Sequence, residues 1–186
     1  MDFSKFKTSD WLVAGGGLGM LIFGLFRWIK IDVGAFGSES GGNAFDFFFT
    51  GTIPWLLLVA SAVITVLLAG GVMKRGSLPW PLIILAATAL SLLLLLIRVI
   101  FNPVDCGFGD CGDVVKRGIG QYLSLISGAV AAVGGFLGFK ESGGDLSDLT
   151  DMDKLKGAFN QGGGSTPPPP PPPPGMTPPP PPPPAG

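Results

Sequence analysis

Histidine is missing from this chain, and only two cysteines and one tyrosine occur among its 186 residues. Imidazole is the commonest metal ligand and the commonest general acid–base, so both kinds of chemistry lose their usual carrier. Charge is scarce as well: 13% of residues are Asp, Glu, Lys or Arg, and the formal net charge is −1. Without a basic field the chain has little to hold a phosphate backbone, which sets nucleic acid aside as a partner. No nucleophile–base pair or metal-ligand spacing is visible in the sequence, so no enzymatic activity and no cofactor are expected.

Apolar residues are what the chain has in plenty, and they come in blocks. Mean hydropathy is +0.51 even though the last part of the chain is polar and proline-rich. Four runs, at residues 11–29, 53–73, 82–101 and 119–139, approach or exceed the roughly 20 helical residues that cross a bilayer core. The expected fold is all-α. Residues 1–140 form a four-helix transmembrane bundle, 141–160 a cytoplasmic amphipathic segment, and 161–186 a disordered Gly/Pro-rich tail. A cleaved signal peptide is the competing reading of the first run. That run is long for a signal sequence, however, and Arg27 near its end is joined by Lys30 just after it.

Basic residues set the expected orientation. Lys5, Lys7, Lys74, Arg75 and Lys140 share one side of a four-span layout, against Lys30, Lys116 and Arg117 on the other. Both termini are therefore expected in the cytoplasm, with the protein in the plasma membrane. Asp10 is a candidate helix cap, and Pro54 and Pro81 fall in first helical turns. Trp11 and Trp80 would mark one membrane interface, Trp28 and Trp55 the other.

Only two charges fall inside the runs, Arg27 and Arg98. Each lies roughly 24 Å along its helix, which brings both to the outer level. Snorkelling to lipid phosphate or pairing with Asp32, Asp46, Asp105 or Asp113 is the plain reading. An anion-attracting vestibule with Gln121 and Tyr122 nearby is the sharper one. No Asp or Glu occurs in any run, which removes the usual proton relay of a coupled transporter.

The first outer loop is glycine-rich and ends in "AFDFFF", an aromatic cluster suited to the headgroup level. The second holds Cys106 and Cys111, separated by four residues. On an oxidising face a disulfide is the natural expectation. Free thiols and a metal site are the alternatives, the latter short of ligands. Helix packing is expected along a ridge of Gly120, Ser124, Gly128 and Ala132 and along Gly15 and Gly19 of the first run. The same small residues would serve a homo-oligomer.

Beyond residue 140, Leu146, Leu149, Met152, Leu155 and Phe159 fall on one helical stripe. Two proline runs follow, Pro167 to Pro174 and Pro178 to Pro184. Each is a stiff polyproline II rod of roughly 20–25 Å, either a spacer or a ligand for an aromatic groove on a protein partner.

The stretches "TSDWLVAGGG", "FDFFFTGTIPWLLLVA", "GSLPWPLIILAATAL" and "GFLGFKESGGDLSDLTDMDKLKG" resemble uncharacterised four-span integral membrane proteins of high-GC Gram-positive (actinobacterial) bacteria. The resemblance covers most of residues 8–157. It implies a membrane topology and carries no activity or site residues with it. The function expected from all this is a non-enzymatic membrane scaffold presenting a cytoplasmic proline-rich tail. The alternative is a small channel or transporter subunit with an arginine-lined outer vestibule.

Overall fold

The computed structural model describes residues 6–32, 38–73, 78–101 and 115–145, together with 153, 156 and 157. Four helices dominate it: α1 (Thr8–Phe23), α2 (Ile53–Ala69), α3 (Trp80–Phe101) and α4 (Ile119–Glu141). They pack in a ring in which α1 touches α2 and α4, and α3 touches the same two. Neighbours run antiparallel. Ser9 of α1 lies by Gly138 of α4 and Phe26, beyond the end of α1, by Gly120; Gly135 of α4 meets Thr88 of α3, and Gly128 meets Leu95.

The π-helical turn Phe48–Thr52 runs directly into α2, so Phe48–Ala69, Trp80–Phe101 and Ile119–Glu141 are three helices long and apolar enough to cross a membrane. The surface of the bundle fits that solvent. Leu18, Leu56, Val63, Leu90, Leu93, Ile126 and Val133 face outward, while Ser61, Thr65, Thr88, Ser91, Ser124 and Ser127 are buried. Lipid tails do not drive leucines inward, and small polar residues let backbones approach.

The first helix corrects the expectation for residues 11–29. It starts at Thr8, and Asp10 sits inside its first turn, where its carboxylate accepts the Lys7 amide at 3.0 Å. It stops at Phe23, after 16 residues or roughly 24 Å. Gly24 then closes the turn with its N–H on Met20 O at 2.9 Å, and the chain bends back over the bundle end. Trp28 is fully buried there, its indole N–H on Phe23 O at 3.3 Å, so its ring packs against the protein rather than facing outward.

An all-α fold was expected; the loops at this end instead build a small sheet. β1 (Ile29–Asp32) lies between β2 (Ser38–Ser40) and β3 (Val115–Arg117), both antiparallel to it. Lys30 pairs with Ser40 on one side and Lys116 on the other. The alternation Ile29-Lys30-Ile31-Asp32 is what permits it, since Ile29 and Ile31 share the face that Gly41 packs against. The sheet thus joins the α1–α2 and α3–α4 connections at one end of the bundle.

After α4, Gly143 turns the chain at φ +87°. Of the amphipathic segment expected at 141–160, Asp153, Lys156 and Gly157 are helical, and its apolar stripe lies outside the described residues. Cys106 and Cys111, and the tail with Pro167, Pro174, Pro178 and Pro184, also lie outside them.

Candidate functional site

The bundle has two dissimilar ends. At the sheet end, close approach is the rule. Gly118 donates to Trp28 O at 2.8 Å and Gly120 to Arg27 O at 3.0 Å, so α4 begins against the backbone that follows α1. Ala44 donates to Gly24 O at 3.0 Å, which ties the 3₁₀ turn Ala44–Asp46 to the same corner. Asn43 caps that turn by accepting from the Phe45 amide, and Asp46 accepts from the Asn43 amide. Trp28, Met20, Ala44, Leu58, Leu95 and Ala131 form the apolar core, with Phe47, Trp55 and Leu125 packed against it.

Arg98 sits within this end and is fully buried. Its guanidinium carbon lies 3.6 Å from the centre of the Phe47 ring, a close cation–π contact. Its carbonyl accepts the Gln121 side-chain amide at 3.1 Å, bridging α3 to α4. Arg27 is in a different situation. It lies beyond α1 in the turn before β1 and is exposed; its carbonyl accepts from Gly120, next to the Gln121 that holds Arg98, so the two arginines share a level of the bundle but not an environment. The cause is the early end of α1: the chain leaves the helix before Arg27 is reached.

The opposite end opens as a cleft of about 90 Å³ among the ends of all four helices. Ser9 and Asp10 of α1, Thr65 of α2, Trp80 of α3 and Gly138 and Glu141 of α4 contribute to its wall. Glu141 ties the first helix to the last: its Oε2 accepts from Ser9 Oγ at 3.0 Å and lies 3.4 Å from Lys7 Nζ. Among the described residues, no three metal-ligating side chains come together.

The small-residue ridge falls into place unevenly. Gly120 lies against Phe26 and the Arg27 carbonyl, Ser124 is fully buried, Gly128 faces Leu95, and Ala132 is half-buried. On α1, Gly19 lies against Ser127, but Gly15 faces outward with nothing near it. The contact glycines are Gly16 against Ala131 and Gly17 against Leu58 and Ala62. Counting from Gly15 at intervals of four missed them, because the "GGG" run offers three registers and only partner positions choose between them.

No family model, curated protein or solved structure matches this chain.

Proposed function

We propose that the chain is a multi-pass plasma-membrane protein with four spans and both termini in the cytoplasm, acting as a non-enzymatic scaffold that presents its proline-rich tail to a protein partner. The observation that carries this reading is the Lys7–Ser9–Glu141 contact, which brings the beginning and the end of the bundle to one face. Lys74, Arg75 and Lys140 fall at that same face by sequence, and basic residues favour the cytoplasm. The fourth span is α1. It is shorter than its neighbours, yet it and the turn after it follow α4 from Gly138 to Gly120, nearly the length of that helix.

A tail that leaves the cytoplasmic face as two stiff rods loses little entropy when docked. Deleting residues 166–186 is expected to abolish a crosslinkable cytoplasmic partner while leaving membrane insertion unchanged. An identical crosslinking pattern with and without the tail would refute the scaffold reading. A reporter fused after Gly186 tests the orientation separately.

The transport alternative draws support from the cleft at one end and buried Arg98 at the other. Met20, Leu58, Leu95 and Ala131 fill the section between them, so a path through one copy requires that layer to part. Anion flux into liposomes, unchanged by Arg98→Leu, would end this second reading.

A further inference from the structure

Several hydroxyls on the inner helix faces donate to a carbonyl one turn back. Thr65 Oγ1 reaches Ser61 O at 2.8 Å, Thr88 Oγ1 reaches Ile84 O at 2.9 Å, and Ser91 Oγ reaches Ala87 O at 2.7 Å. Ser127 Oγ reaches Leu123 O at 2.9 Å. Such back-bonding is how a buried hydroxyl in an apolar helix satisfies itself. Ser124 departs from the pattern. It is fully buried, and its Oγ meets no hydrogen-bond partner among the described residues.

Three residues nearer the sheet end, Gln121 is also fully buried. Its Nε2 donates to Arg98 O, and its Oε1 has no partner among the described residues. The sense of that amide is settled, because turning it over would set oxygen against oxygen. An acceptor and a hydroxyl thus belong to side chains one turn apart on the buried face of α4, both cut off from bulk water. Leaving either dry costs free energy, and buried water is the usual remedy.

We infer that an ordered water molecule occupies this position and bridges Gln121 Oε1 to Ser124 Oγ. Residues three apart on a helix have Cβ atoms about 5–6 Å apart. A water making two bonds of about 2.8 Å links polar atoms up to about 5 Å apart, so it joins two such side chains where their oxygens converge. The water donates to Gln121 Oε1 and exchanges one further hydrogen bond with the serine hydroxyl. An anion would meet the amide oxygen lone pair to lone pair. A metal cation would share the layer with the Arg98 guanidinium. Neutral water suits both constraints. The site is floored by Leu95 and Leu58, which pack around Gly128 one turn further in and separate it from the cleft.

Thermal unfolding in detergent of Ser124→Ala, Gln121→Met and the double variant tests the bridge. Ser124→Ala is expected to lower the melting temperature by roughly 2–4 °C, the shift for one net hydrogen bond in a chain of this size. In the Gln121→Met background the same change is expected to do almost nothing. A melting temperature that stays level or rises with Ser124→Ala means a dry hydroxyl and overturns the inference. Solid-state NMR of the unaltered protein in bilayers gives an answer independent of variant folding: magnetisation is expected to pass from water to the Gln121 side-chain amide. Absence of that transfer overturns the site. Transfer without a fall in melting temperature assigns the water to Gln121 alone and overturns the bridge.

Discussion

The two ends of this bundle use the same helices differently. At the sheet end, backbone meets backbone: Gly118 and Gly120 abut Arg27 and Trp28, Gly51 abuts Ala44, and an arginine and a tryptophan are sealed inside. At the other end a cleft remains among the described residues; Gly134 in its wall still abuts the Ser9 and Val13 backbone, but at the mouth half-exposed side chains span the gap. The difference teaches where rigidity lies. A closed cap fixes the helices at one end, and the free end is the one that carries the chain's tail. Substitutions should therefore be more damaging near the sheet than at the mouth of the cleft, where Gly138 and Glu141 lie.

Gly118→Ala is the strongest way to break this contrast. A Cβ there would collide with the Arg27 carbonyl and the Trp28 backbone, which cannot swing aside as a side chain could. Gly118 has φ −84° and ψ 159°, a conformation any residue adopts, so the whole effect is steric. A loss on the order of 3 kcal/mol is expected from overpacking against backbone. Unfolding in detergent followed by circular dichroism measures it, and a change below about 0.5 kcal/mol would show that the sheet end yields.

Arg98→Lys comes next. A lysine keeps the charge but loses the planar guanidinium that stacks on Phe47, so a loss of about 1–2 kcal/mol is expected. The same exchange at exposed Arg27 should stay within about 0.5 kcal/mol. Equal effects at the two sites would erase the distinction between a sealed and a solvated arginine.

These arginines also show how far the sequence could be read. Helix number, the positions of the three long helices and the interior face of α4 follow from apolar runs and small-residue spacing, because membrane spans need length and close approach. The end of α1 did not. Residues 11–29 carry a single charge, Arg27, and nothing in hydropathy distinguishes a helix from a turn that tucks Trp28 beneath a sheet. The clue was local and easily overruled: "IKID" and "VKR" have the alternation or β-branching of short strands, yet their pairing joins residues about 85 positions apart. Buried Arg98 was visible as a charge in an apolar run, but its contact with Phe47 depends on the π-helical turn that starts at Phe48.

Gly138→Ala sharpens the contrast from the other side. An added Cβ would lie 3.6 Å from Ser9 Cβ and 3.8 Å from Ser9 Oγ, ordinary van der Waals distances. Replacing glycine inside a helix gains up to about 1 kcal/mol from backbone propensity. The cleft end should therefore accept a methyl group with a small rise in melting temperature. A fall comparable to that of Gly118→Ala would mean that this end is packed as tightly as the other.

The smallest effect belongs to Glu141→Gln. The carboxylate holds Ser9 and Lys7, but the Glu141 side chain is 34% exposed and that of Lys7 is 55% exposed. Ion pairs this accessible contribute roughly 0.2–1 kcal/mol, since water competes for both partners and ordering a long lysine costs entropy. Glutamine keeps an acceptor for the Ser9 hydroxyl, so only the ionic part is lost, and about 0.5 kcal/mol or less is expected. Salt identifies that part. The gap between Glu141→Gln and the unaltered protein should shrink as ionic strength rises from 0.01 M to 1 M, where the screening length falls from about 30 Å to about 3 Å. A gap of several kcal/mol that ignores salt would instead place Glu141 in a buried network, and the open end of the bundle would then be closed.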